Sequence, residues 1–383
     1  MSIMKRFLGI VLTVLGFMVV TSPMEASASS EPSGFICPPR LQLRHSPRCS
    51  TGGARDEMPQ LAVQGLYPER ALPTYSLDPE LGDVPFWYLR SLKKNGTPVY
   101  SSFEDAMRGE NPFRQIEPGF IYLSWIDRIE RDNKVVYMIA PGVYIQGGDA
   151  SRISIPKFRG LAFYRTPYRA FAWVLLGTLT SIAPGYGQPE TNHWLDRYEL
   201  VWIYDKVRVG DYDWYKIGQD EWLEQRRVAV VEPDISRPDG VQEDRWISVD
   251  IYEQTLMVYE DGRLIYATLV SSGLGGWWTQ PGVFQVYSKL EADKMGGAFE
   301  ADRSDYYFLE DVPWILYYDE SRALHGAYWH NRFGYPRSHG CVNLPLADAH
   351  WIYDWAEEGT WVYVFDPTGE TPTDPSNYGP GGT

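Results

Sequence analysis

The stretch HGAYWHNRFGYPRSHGCVNLP, residues 325–345, holds three of the chain's six histidines and one of its three cysteines. Cysteine close to histidine suits nucleophilic catalysis. The thiol attacks a carbonyl once a base takes its proton, and nearby amides receive the charge that forms on oxygen. Gly340 precedes Cys341 and has no side chain, so the backbone can approach a substrate there, and both N–H groups can face one point. Two histidines compete for the role of base. His339 lies two residues before Cys341 and would share its face on an extended strand. His325 lies sixteen residues before it (341 − 325 = 16), after the strand-like run Trp314-Ile-Leu-Tyr-Tyr. Spacing alone does not choose between them.

The same side chains could bind zinc, but such sites show ligand pairs at spacings of about two to four residues. Only His339-x-Cys341 is tight, and no second pair matches, so neither a metal nor another cofactor is expected. For His330, beside Trp329 and Asn331, a structural role is favoured, as it is for His350 on the late helix. Arg332 and Arg337 lie between His325 and Cys341, where a guanidinium could pair with a substrate carboxylate. Tyr317 and Tyr318 precede His325, and on an alternating strand only one can face the groove; Tyr318 is taken as the substrate-facing one. Between two strands, the glycines of Met295-Gly-Gly and the residues up to Tyr307 suggest a mobile lid.

These residues need a frame. From Arg245 onward two alternating strands flank Tyr252-Glu-Gln-Thr, and Asp261-Gly262 supplies a hairpin turn. Another strand follows Pro281-Gly282, and Trp361-Val-Tyr-Val-Phe closes the pattern. One helix is expected between Pro345 and Gly359, with Trp351, Ile352, Trp355 and Ala356 on its packed face. Residues 237–243 read as a linker before this domain of residues 244–366, and the tail 367–383 as disordered.

Upstream lies a repeat. Tyr137 matches Tyr215, Ile139 matches Ile217, Tyr144 matches Trp222 and Ile145 matches Leu223, always 78 apart (215 − 137 = 78). Two small β-modules are expected, at residues 61–156 and 157–236. Their pattern resembles bacterial SH3-like modules, common on cell-wall enzymes. The resemblance suggests a platform for wall peptide or glycan, although filling of small barrel cores accounts better for any single ring.

At the start, Lys5-Arg6, a fourteen-residue apolar run and Ala26-Ser-Ala make residues 1–28 a secretory signal. The run is shorter than the roughly 20 apolar residues a membrane span needs, so the mature chain is expected to be secreted or wall-associated and not integral to a membrane, with a retained N-terminal anchor as the alternative. Residues 29–60 read as a linker, in which Cys37 and Cys49 can pair in an oxidising compartment. The net charge of −15 argues against nucleic acid as a partner.

His325-Gly326, a gap, then Ser338-His339-Gly340-Cys341-Val342-Asn343 resembles the signature of the L,D-transpeptidase catalytic (YkuD-like) family. Trp329-His-Asn-x-Phe-Gly and the helix from Asp348 to Trp355 are also similar; Thr279-x-Pro281-Gly282 departs in register from the usual T-P-x-G. The resemblance implies a mainly β fold: a C-terminal β-sandwich with one packed helix, preceded by the two SH3-like barrels. It makes Cys341 the nucleophile and His325 the proton donor and acceptor, with the Gly326 carbonyl orienting its ring. Ser338, His339 and Gly340 would shape the nucleophile loop, and the amides of Gly340 and Cys341 would form the oxyanion hole. Tyr318, Arg337 and Asn343 would bind substrate. The partners implied are two peptidoglycan stem peptides, donor and acceptor. The reaction implied is release of D-Ala from a tetrapeptide stem and cross-linking of third residues. The alternatives are L,D-carboxypeptidase or protein-anchoring activity at the same site, or a non-catalytic wall-binding protein.

Overall fold

The computed structural model describes residues 71–298 and 300–378. The expected signal, the linker 29–60 and the Cys37–Cys49 pair lie outside the described residues. Strands dominate, and two seven-stranded sheets combine the strands of the C-terminal half with short strands from upstream. In the first, Arg245–Asp250, Thr255–Glu260 and Arg263–Leu269 run antiparallel, while Trp361–Phe365 pairs parallel with Arg245–Asp250. The turn between the second and third strands falls on Asp261 and Gly262, both at positive φ, as the Asp-Gly pair favours. In the second sheet the order runs Val342–Leu344, Arg322–Gly326, Tyr307–Asp319, Phe120–Trp125, Trp87–Ser91, Ala150–Arg152. Ser288–Gly297 pairs antiparallel with Tyr307–Asp319, making a long hairpin.

The helix Leu346–Trp355 starts after Pro345, as the proline suggests. It stops well before Gly359, because Ala356 already adopts an extended backbone. Ile352 and Ala356 are fully buried in the main core, and Trp351 stacks on Tyr266 at 4.1 Å between ring centroids. Its first turn carries a buried carboxylate, Asp348, which accepts hydrogen bonds from Tyr266 (2.7 Å), Thr268 and the amide of Gly160 (2.8 Å). A second helix, Phe103–Arg108, is an addition to the one expected from sequence. Ser102 caps its start by accepting from the Asp105 amide, and Gly109 ends it at φ 74°. Its signals, Ser-x-x-Asp and a terminal glycine, are legible in hindsight.

The 78-residue offset recurs as structure. Asp127–Arg131 corresponds to Asp205–Val209, Lys134–Ala140 to Tyr212–Gly218 and Val143–Gln146 to Glu221–Glu224. The short 3-10 turns Gly147–Asp149 and Gln225–Arg227 follow at the same spacing. Tyr137 and Tyr215, with Ile139, Ile217, Ile145 and Leu223, are buried in two separate apolar clusters. Those rings therefore fill the cores of their own copies.

In both copies three strands pair in one order: Phe120–Trp125, Trp87–Ser91, Ala150–Arg152 in the first, and Leu200–Trp202, Phe171–Val174, Val228–Val231 in the second. The first set continues the sheet that carries His325, because Phe120–Trp125 pairs parallel with the hairpin strand Tyr307–Asp319. The second set is a three-stranded sheet of its own. It packs Phe171, Trp173 and Trp202 into a cluster with Trp246, Met257 and Tyr259 of the C-terminal half.

Candidate active site

Register brings the chemistry together. Arg322–Gly326 and Val342–Leu344 pair in parallel with His325 opposite Asn343. Cys341 is two residues before Asn343, so its side chain falls on the face that carries His325. Both residues line one cavity of about 270 Å³, together with His330, Arg337, Ser338, His339 and Asn343. Tyr318, expected to face substrate, does not line that cavity, although burial and the nearby Cys341 both push its hydroxyl pKa up. Its ring sits in the main core against Phe284, with its hydroxyl buried and without a hydrogen-bond partner, while half-buried Tyr317 stands opposite Ala323. A bulge between Tyr317 and Asp319 does not change which of the two is buried.

His325 is 2% exposed, and its Nδ1 lies 3.3 Å from the Gly326 carbonyl. A carbonyl only accepts, so Nδ1 carries the proton and Nε2 keeps a free lone pair, which is the tautomer a general base requires. Burial depresses the imidazole to about 4, with the Gly326 carbonyl opposing the shift. Burial likewise pushes the Cys341 thiol up to about 11, against the pull of the Ala323 backbone and of Arg322. At neutral pH the resting pair is thus thiol and neutral imidazole, with no ion pair formed in advance. The thiol lies 3.7 Å from the Ser321 carbonyl.

The nucleophile loop is held by hydrogen bonds to its backbone. Ser338 Oγ donates to the Cys341 carbonyl and accepts from the Gly340 amide at 3.1 Å. Thr279 donates to the Gly340 carbonyl at 2.8 Å and accepts from the Gly273 amide at 2.9 Å. Gly340 itself has φ 119°, which favours glycine. One expectation changes here: the Gly340 N–H is directed at Ser338 rather than toward an incoming oxyanion. The hydroxyl of a residue two positions away out-competes an empty cavity for a backbone donor.

His339 is a wall of the cavity, edge-on to Trp277 (4.6 Å) and stacked on Tyr307 (5.1 Å). Burial lowers its pKa while Asp305 opposes the shift. His330, read from sequence as structural, has a positioning geometry. The Arg332 amide lies 3.3 Å from its Nδ1, and Asn343 Nδ2 lies 3.0 Å from its Nε2. Burial holds His330 near 3, so this arrangement persists across the working pH range.

Thr279, Asp305 and Phe120 escaped the sequence reading as site residues. Thr279 was visible only as part of a motif out of register, and Phe120 lies some 200 residues upstream (325 − 120 = 205). Among the described residues no cluster of His, Cys, Asp or Glu has the makings of a metal site.

Comparison with known proteins points to one catalytic domain family. The model of the L,D-transpeptidase catalytic domain family (YkuD) matches residues 244–364. YciB of Bacillus subtilis (strain 168), an L,D-transpeptidase by name, is 28% identical over 162 residues, covering 36% of this chain and 78% of that protein. The catalytic domain of an E. faecium L,D-transpeptidase, solved by NMR, is 30% identical and wholly covered by 33% of this chain, with a TM-score of 0.29. The same domain acylated by ertapenem gives 30% identity and a TM-score of 0.30. Residues 244–364 thus carry an L,D-transpeptidase catalytic domain.

Proposed function

We propose that this L,D-transpeptidase acts on peptidoglycan tetrapeptide stems through a thioester on Cys341 and joins the third residues of two stems. The observation that carries the reading is the placement of Cys341 and an Nε2-unprotonated His325 on one sheet face lining one cavity. His325 Nε2 takes the thiol proton as sulfur bonds to the carbonyl carbon of the third residue. The tetrahedral oxyanion is met by the Cys341 amide, joined by Gly340 once its bond to Ser338 yields. Collapse breaks the C–N bond to D-Ala, and the proton on His325 goes to that leaving amine. An amine from a second stem then attacks the thioester, gives its proton to His325 and releases the thiolate, which His325 reprotonates.

A resting neutral pair suits this cycle, because charge separates only when substrate is present to be stabilised. Arg337 is the arginine lining the cavity that can meet a stem carboxylate, and Asn343 lines the same cavity. Water in place of the second amine would trim stems instead. The chain's place is outside the cytoplasm, consistent with its leader-like start, and the two upstream copies serve as SH3-like modules on the wall.

The test follows masses. With tetrapeptide muropeptides, the wild-type chain releases D-Ala and forms dimers, and Cys341→Ala releases none. Retention of activity by that variant, or wall binding without any mass change in the wild type, defeats the proposal.

A further inference from the structure

One wall of the nucleophile's cavity comes from outside the catalytic segment. Phe120, in the first copy of the repeat, lines it with its side chain 41% exposed. Its backbone reaches the cavity by strand addition: Phe120, Ile121 and Tyr122 pair with Tyr307, Phe308 and Leu309 of the hairpin, and the Phe120 amide donates to the Tyr306 carbonyl at 2.9 Å. Gly119 permits this approach, since a Cβ there would stand 2.2 Å from that same carbonyl. Glu117 pairs with Arg303 at 2.8 Å on the outer side.

The same copy also braces the hairpin next to the cavity. Tyr88 donates to the Asp311 carbonyl at 2.8 Å, and the Ser124 amide to the Glu310 carboxylate at 3.0 Å. Asp311 has φ 47°, a strained value for a non-glycine residue that these contacts help to hold. In the same cluster Tyr88 stacks on Tyr328, three residues after His325, at 3.5 Å, and the Tyr328 hydroxyl donates to the Glu310 carbonyl at 2.6 Å. The first copy therefore seats the hairpin and the loop after the general base at once.

We propose that this copy is part of the substrate site, with Phe120 a specificity-determining residue against which an aliphatic stretch of the stem peptide packs. This rests on the transpeptidase reading given above. The chemistry on the wall decides the class of contact. Phe120 stands with Met295, Tyr307, Leu309 and Trp329, so an aliphatic chain laid there displaces water from an apolar surface. Asp305 and Arg337 stand in the same cavity, where the polar ends of such a chain can meet charge.

The experiment uses the full chain and steady-state kinetics on a tetrapeptide muropeptide, with thermal melting as the check on folding. Phe120→Ala lowers kcat/KM about tenfold, carried mainly by KM, the loss expected when one aromatic contact to the substrate is removed. Phe120→Leu restores most of it, because an apolar wall remains. An unchanged KM in a folded Phe120→Ala chain, or a Phe120→Leu chain as impaired as Phe120→Ala, overturns the inference and leaves the transpeptidase reading standing. A wild-type chain inert toward tetrapeptides defeats that reading first, and this inference with it.

Discussion

The two copies of the repeat share a core pattern and a strand order, yet only one enters the active site. Where the first copy has Gly119-Phe120, the second has Arg197-Tyr198, 78 residues on. Glycine lets the strand Phe120–Trp125 close on the hairpin backbone. In the second copy Tyr198 sits at φ 68°, and the strand begins only at Leu200 and runs three residues instead of six. Its hydroxyl and Arg197 instead reach the Asn331 carbonyl, at 2.8 and 2.7 Å, from the far side of the loop between His325 and Cys341. A duplicated scaffold has thus been fitted to two tasks by its edge, with its core left alone: strand addition in one copy, side-chain bracing in the other.

The comparison can be broken at that glycine. Gly119→Val forces a side chain into the Tyr306 carbonyl, and the backbone must retreat. A loss of about 1–3 kcal/mol in unfolding free energy is expected, the usual range for overpacking. Arg197→Val, at the equivalent place, should cost less than about 1 kcal/mol, since it removes a surface contact only. Denaturant melts of both variants check this; equal losses would erase the distinction.

The same pair of variants sharpens the electrostatics. Burial holds the Cys341 thiol near 11, so alkylation of the wild-type chain should climb with pH and be half-maximal around there. Opening the cavity through Gly119→Val hydrates the thiolate and favours the charged form, so the midpoint should fall toward the ordinary thiol value of about 8.5. Arg197→Val should leave it in place. A wild-type midpoint near pH 6 would contradict the uncharged resting pair.

The smallest effect belongs to the exposed strap. Breaking Glu117–Arg303 by Glu117→Arg should cost at most about 1 kcal/mol and fade with salt, and adding Arg303→Glu should recover it.

Much of this was legible in the sequence, for physical reasons. Cys341, His325 and the glycines around them sit in one short stretch whose residue types have few other uses. The Asp261-Gly262 turn and the Pro345 helix start follow from local backbone preferences. The 78-residue repeat was legible because each copy must fill its own core. What stayed hidden is non-local. Alternation puts Tyr317 and Tyr318 on opposite faces but does not say which is buried, and Tyr318 belongs to the core. The diversion of the Gly340 amide to Ser338 depends on a loop conformation that no spacing encodes. Phe120 enters through parallel pairing with a strand far along the chain, and only the difference between Gly119 and Arg197 inside the repeat hints at it.

Covalent catalysis by Cys341 is read most directly from the mass of the protein quenched within its first turnover of tetrapeptide, with the modified residue mapped by proteolysis. The account predicts a single adduct on Cys341 whose mass is the stem less its terminal D-Ala. An adduct mapped to any other residue, or D-Ala released with no covalent species at any quench time, would contradict it.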